Sequence, residues 1–380
     1  MHFLFFAAQY LPTVGGVERY TYNLTRALAR MGHSSTIITS ALKNLPEIEI
    51  EGSVKVVRLD STMLLEGRFP VVKRNKHNRD LMQGVLRENY DLAVINTRFY
   101  PLSLYGVRNC FLRNIPSIVI EHGSAHLSLS NRLFDLFVHL YEHITIRQVM
   151  RYCNEFYGVS LSCCEWLKHF GIVCNGTLYN AIDVDEVHTT ADSSQYNVRK
   201  QFSLNENTLL ILFGGRFLRE KGIIELLEAY RKVTEVITDT ALILVGDGPL
   251  YEEVEKIRSS DVYLTGRLSY PDSLSALKQS DVFILPTYSE GFSTITLEAA
   301  AFGRCIVSTY TGGNAELIDN MKSGILLEEV TSTHIVNALN YVLSNNEFRI
   351  SSGEQVKQRV TDRFSWKNTA DKLLSIAQNR

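Results

Sequence analysis

Short apolar runs recur along the chain, each followed by a stretch in which apolar residues return at helical spacing. In the first half the runs cover residues 2–8, 35–40, 54–59, 91–96, 116–121 and 155–160, with helical patterns over 17–31, 102–113, 129–150 and 161–170. The second half repeats the alternation with runs at 208–215, 241–248, 262–266, 281–286 and 305–309. Strands apolar on both faces that alternate with helices predict parallel sheets covered on both sides, hence an α/β fold with two sheets. Residues 184–207 are polar and hold no sheet run, which places the junction there and predicts domains over 1–185 and 186–363. The segment 364–378 reads as an amphipathic helix with Ser365 as N-cap, returning to the first domain.

The length of 380 residues fits two domains, and 45% hydrophobic residues with 8 prolines exclude intrinsic disorder. A formal charge of −2 gives no global field for nucleic acid, so any anion is bound locally. Six cysteines without a CxxC pair read as reduced thiols of a cytoplasmic protein. The apolar opening over 2–8 lacks a positively charged flank, and no run reaches 18 apolar residues, so neither a secretory leader nor a membrane span is expected.

Ligands of open parallel sheets bind beyond the carboxyl ends of the strands, so the loops after the runs carry the chemistry. After the first run, Gly15 and Gly16 precede a helix whose free N–H groups suit a phosphate; the same pair would serve equally as a flexible turn. In FGGRFLREKG (213–222), Gly215, Arg216, Arg219 and Lys221 follow a strand end. A forked guanidinium and a compact ammonium there would clamp a diphosphate, although such a cluster alone is also an ordinary solvated turn. In YSEGFSTITLEAAAFG (288–303), Glu290, Gly291, Phe292 and Ser293 lie at the mouth of a predicted helix, and Glu298 lies a little over one turn inside it. Neither Gly15–Gly16 nor 246–251 meets the GxGxxG pattern, which removes the main support for a dinucleotide oxidoreductase.

Together, GGRFLREKG, GDGP (246–249) and the Glu290–Glu298 pair in EGFSTITLEAAAFG resemble the nucleotide-sugar site of the retaining glycosyltransferases of family 4 (GT4). GGVERY near the start, NAID (180–183) and FSW near the end fall in the family's order, so the resemblance covers nearly the whole chain. It implies the GT-B architecture, two Rossmann-like domains with parallel sheets facing a cleft. It also implies transfer of a sugar from a nucleoside diphosphate sugar to a hydroxyl acceptor with retained configuration. By matched position, Arg216 and Lys221 would bind the donor diphosphate, Glu298 the ribose, and Glu290 with the backbone of Gly291, Phe292 and Ser293 the sugar and phosphates. Gly15 and Gly16 would approach the pyrophosphate, His122 in IEHG would meet the donor sugar, and Leu268 in GRL would border the base.

Asp183-Val184-Asp185 spells the DxD of metal-dependent glycosyltransferases, but its place at a domain end and the available cations predict transfer without a metal cofactor. The segment EGRFPVVKRNKHNR (66–79) carries five Lys/Arg with interspersed Phe69, Val71 and Val72, suited either to an anionic membrane surface or to a solvated face. Family members that build bacterial surface polysaccharides often use lipid-linked acceptors, so the resemblance implies peripheral association with the inner face of the plasma membrane. Two rivals share the architecture: a non-hydrolysing nucleotide-sugar epimerase and a catalytically silent nucleotide-sugar or glycan binder.

Overall fold

The computed structural model describes all residues except 14, 43, 66, 68 and 128–131, and the backbone alone at 132 and 133. The chain divides into two compact units, Met1–Asn180 with Trp366–Arg380, and Ala181–Ser365.

Among the described residues the first unit holds ten strands: β1 (His2–Phe6), β2 (Ser34–Ser40), β3 (Ile48–Glu51), β4 (Val54–Leu59), β5 (Ser61–Leu64), β6 (Phe69–Val72), β7 (Leu92–Asn96), β8 (Ser117–Glu121), β9 (Phe156–Gly158) and β10 (Gly176–Thr177). Eight of them form one sheet in the order β10-β9-β8-β7-β1-β2-β4-β3, parallel except for the edge strand β3. Its central strands are buried on both faces, with the successive residues Leu4 and Phe5 of β1 and Val94 and Ile95 of β7 fully buried, which is why they read as continuous apolar runs. β3 is exposed along its whole length and β5 and β6 make a separate antiparallel hairpin. These short elements carry too little apolar periodicity to be recognised in sequence.

The second unit adds β11 (Leu209–Gly214), β12 (Thr240–Val245), β13 (Val262–Gly266), β14 (Val282–Leu285), β15 (Cys305–Thr309) and β16 (Ile325–Leu327) in an all-parallel sheet ordered β13-β12-β11-β14-β15-β16. In each sheet the chain winds outward first on one side and then on the other. The order reverses between β1 and β7 in the first unit and between β11 and β14 in the second.

Three readings need correction. The polar stretch 184–207 holds no sheet run but is not the junction: it lies within the second unit and contains helices Val184–Asp192 and Val198–Phe202, capped by Asp183 and Asn197, whose side chains accept from the amides of Glu186 (3.1 Å) and Lys200 (2.9 Å). The chain passes between units at 180–181 instead of at 185–186, and Asp183 of the DxD triplet is a helix cap. In 66–79, two of the apolar side chains pack inward: Phe69 lies against the rings of Tyr100 and Tyr141 at 5.4 and 5.7 Å, and Val72 packs on the core. Finally, Cys110, Cys153, Cys163 and Cys305 are buried thiols outside any disulfide, whereas Cys164 and Cys174, with Cα atoms 5.3 Å apart, form a disulfide.

The helix Trp366–Gln378 belongs to the first unit, where Trp366 meets the Tyr20 ring edge-on at 5.3 Å and the Thr369 hydroxyl donates to the carbonyl of Tyr179 at 2.9 Å.

Candidate functional site

In the second unit, the loops beyond β11, β14 and β15 are bound into one structure at the carboxyl edge of the sheet. β11 runs into Gly215, whose amide donates to Val245 at 3.0 Å, and the fully buried Phe217 anchors the loop. Gly222 starts the helix Ile223–Thr234 at φ +64, and a Cβ there would come within 2.1 Å of the Pro286 carbonyl oxygen, so only glycine fits. The amide of Tyr288 and the hydroxyl of Thr287 both donate to the carbonyl of Glu220, at 2.8 and 2.9 Å, lacing the loop after β14 onto the loop after β11.

That lacing brings Lys221 and Glu290 together across 69 residues of sequence, with Nζ 2.6 Å from Oε2 and both side chains about one-fifth exposed. The pair sits over the β11–β14 reversal, the position where open α/β sheets bind ligands. Arg216 is exposed on the same loop, and no carboxylate among the described residues pairs with it, whereas Arg219 turns to Glu253 on the surface. Gly291 accepts from the amide of Gly313 at 2.9 Å, and Phe292 is buried edge-on against Phe364. Ser293 caps the helix Thr294–Ala301, accepting from Thr296 at 3.4 Å, and Glu298 is 4% exposed within that helix. The helix N-terminus adds a positive dipole end to Lys221 and Arg216. Half-buried Leu268 follows β13, whose terminal Gly266 accepts from the amide of Gly246 at 3.0 Å.

In the first unit, Gly15 is the N-cap of the helix Gly16–Arg30 in extended conformation, and no side chain caps that end. A Cβ on Gly15 would stand 2.3 Å from the carboxylate of Glu18, whereas one on Gly16 would meet nothing within 4 Å. Burial pushes the Glu18 carboxyl above its ordinary range.

His122 follows β8 close to the β1–β7 reversal. Its Nε2 lies 2.9 Å from Oδ1 of Asn96 at the end of β7, Asn96 donates to Thr21 at 3.1 Å, and Tyr20 meets the imidazole edge-on at 4.8 Å. Desolvation pushes the His122 imidazole down to about 3, so the ring is neutral near pH 7. An Nε2–H donating to the Asn96 carbonyl leaves Nδ1 as the nitrogen that accepts.

Several organising residues lie outside the sequence reading. Arg98, 1% exposed, pairs with Glu121 and, at 2.6 Å, with Glu142; the other oxygen of Glu121 accepts from the amides of His122 and Gly123 at 3.1 and 2.9 Å. The buried triad therefore fixes the turn that presents His122. Thr309, Thr311, Gly312 and Gly313 likewise hold the Glu290–Gly291 turn: both threonine hydroxyls donate to the Thr287 carbonyl, at 2.7 and 3.3 Å. A polar residue directly after an apolar run marks Asn96, Glu121 and Thr309; nothing in the sequence marks Glu142.

The predicted residues thus fall into two groups, each at the carboxyl edge of its own sheet: Gly15, Gly16 and His122 in the first unit, and Gly215, Arg216, Lys221, Leu268, Glu290, Gly291, Phe292, Ser293 and Glu298 in the second. Two family models cover most of the chain. One described as glycosyltransferase family 4 matches residues 14–186, and one described as glycosyl transferases group 1 matches residues 194–359. A protein of Methanocaldococcus jannaschii named as an uncharacterized glycosyltransferase is 24% identical over 98% of this chain and 97% of its own. The lipopolysaccharide 1,2-N-acetylglucosaminetransferase of Salmonella typhimurium is 28% identical over 49% of this chain and 52% of its own. Among solved structures, Anabaena HepE in complex with UDP-glucose superposes with a TM-score of 0.77 at 17% identity, covering 100% of both chains, a likeness of fold.

Proposed function

Because the chain belongs to family 4 of the glycosyltransferases and has their GT-B fold, we propose that it transfers a sugar from a nucleoside diphosphate sugar to a hydroxyl of a lipid-linked glycan, with retained configuration, in the assembly of a bacterial surface polysaccharide. The observation that carries the donor chemistry is the Lys221–Glu290 pair at the β11–β14 reversal, with Arg216 and a helix N-terminus beside it. When the bond between the anomeric carbon and the phosphate oxygen breaks, its electron pair passes to the diphosphate. Fixed cations and N–H groups stabilise that charge more than they stabilise the ground state. The acceptor oxygen bonds to the anomeric carbon on the face the diphosphate leaves, and a phosphate oxygen takes the acceptor proton. Neutral His122 accepts a sugar hydroxyl through Nδ1 and does not serve as an acid. With Arg216 and Lys221 on the phosphates, the transfer needs no divalent ion.

The lipid acceptor is supported by the helix Arg132–Val149, which exposes Phe134, Leu136, Phe137, Leu140 and Ile144, each between 47% and 66%. Surface this apolar on one helix suits a membrane interface. No described helix is long and apolar enough to cross a membrane. The lipopolysaccharide enzyme among the relatives has a lipid-anchored glycan in its name.

Incubating the protein with nucleotide sugars and lipid-linked acceptors, then reading the anomeric configuration of the product by NMR, tests the reading. An inverted product removes retention, and donor turned over without acceptor points to the epimerase. Flotation with anionic liposomes tests the membrane: Phe134→Ser with Phe137→Ser should abolish it, while charge reversal over 69–79 should weaken it only in part.

A further inference from the structure

Four of the histidines gather in the first unit, beyond the turn that carries His122. His126 follows β8, His139 and His143 lie one helical turn apart on the helix Arg132–Val149, and His169 is in the short 3-10 turn Lys168–Phe170. Ring nitrogens of His126, His143 and His169 lie within 4.8 Å of one another, and the two Nε2 atoms of His143 and His169 are 3.3 Å apart. Around a tetrahedral zinc ion with Zn–N bonds of about 2.0–2.1 Å, neighbouring ligand nitrogens stand about 3.3–3.4 Å apart, so this edge is already at coordination spacing.

The surroundings favour an ion over a chance cluster of rings. Nδ1 of His126 is 2.8 Å from Oε2 of Glu142, a carboxylate that is fully buried and held by Arg98 at 2.6 Å and by the Leu127 amide at 2.9 Å. An Nδ1–H donated to that carboxylate fixes the tautomer and leaves the Nε2 lone pair for a metal, the usual carboxylate–histidine–metal arrangement. Trp166 stacks on His169 at 4.8 Å and meets His126 edge-on at 4.9 Å, while His139 stacks on His126 at 3.9 Å. These ring contacts pack His126 and His169 on neighbouring aromatic faces. His169 is exposed, which gives an ion access from solvent. Imidazole-only donors select zinc-type transition ions over the oxygen-seeking magnesium, calcium and manganese.

We propose that His126, His143 and His169 bind one zinc-type divalent ion, with Glu142 orienting His126 from behind and a fourth position open to water. The ion ties three segments remote in sequence: the loop that continues from His122, the long helix, and the end of the helix Leu161–Leu167. It is a structural staple on the His122 loop and takes no part in neutralising a diphosphate.

The test uses the full chain stripped with chelator, titrated with zinc against a chromogenic indicator and, separately, with cobalt(II). The expected result is one equivalent bound per chain, visible cobalt bands of four-coordinate intensity, and a higher melting temperature with zinc. His169→Ala, at an exposed position, and His143→Gln should each weaken binding about 10-fold or more, while His77→Ala, elsewhere in the same unit, should leave it unchanged. Circular dichroism and the zinc-free melting temperature report that the variants fold. Substoichiometric binding by the unmodified protein, or equal affinity in it and the His143→Gln, His169→Ala double variant, overturns the proposal.

Discussion

Lys221 has a carboxylate 2.6 Å away, yet its value should lie in transfer and not in stability. An ion pair still reached by solvent, at about one-fifth exposure on each side, contributes on the order of 1 kcal/mol to folding. An ammonium aimed at developing charge typically carries about 10²–10³ in rate. Lys221→Ala is therefore expected to lower turnover by about that factor while its melting temperature stays within a few degrees of the parent, read by donor consumption and calorimetry. His122 behaves in the opposite sense. Its folded value of about 3 lies below the ordinary 6.5, so the unfolded chain takes up the proton first. That contribution is full above about pH 6.5 and is lost as pH falls from there toward 3, at up to about 1.4 kcal/mol per pH unit before solvent screening. Replacing it, as in His122→Asn, should flatten the acid limb of the stability curve, measured by urea denaturation between pH 7 and 5. At this scale the sequence was legible where a residue type repeats a functional pattern, as with Arg216, Lys221, Glu290 and Glu298. It was silent on Glu142, because what makes that carboxylate important is an arginine 44 positions away.

Loops laced by glycines and threonines, more than the strands themselves, decide where those side chains stand. Gly312 adopts φ +58, and a Cβ on it would lie 2.5 Å from the carbonyl oxygen of Gly291 and 2.6 Å from that of Glu290. Gly312→Ala should therefore push the Glu290 turn away from Lys221, costing about 1–3 kcal/mol in stability and raising KM for the donor, both measurable on one preparation. Strands that lie within an uninterrupted apolar run were readable, even β14 and β9 of four and three residues. β3, β5, β6, β10 and β16 were not, because their pairing depends on neighbours already in place. The helices within 184–207 were missed for a related reason: their few buried positions, Val187, Ala191 and Val198, are too sparse for a periodic signal. What declared them was the capping residues Asp183 and Asn197, one of which resembled a metal motif instead.

For the whole chain, the second unit is an insertion in the first, which is completed only by the helix Trp366–Gln378. That helix buries Trp366, Ala370, Leu373, Leu374 and Ala377. Ending the chain at residue 365 should lower the first unit's calorimetric transition by roughly 10 °C or more and leave the second unit's transition in place. The arrangement also sets an order of events during synthesis. Residues 181–365 leave the ribosome as one uninterrupted stretch and hold every strand of their own sheet, so that unit can fold as soon as it emerges. The first unit, although made earlier, waits with Tyr20 uncovered until the last helix arrives. The half of the protein translated first is therefore the half finished last, and it is the one a chaperone would find open.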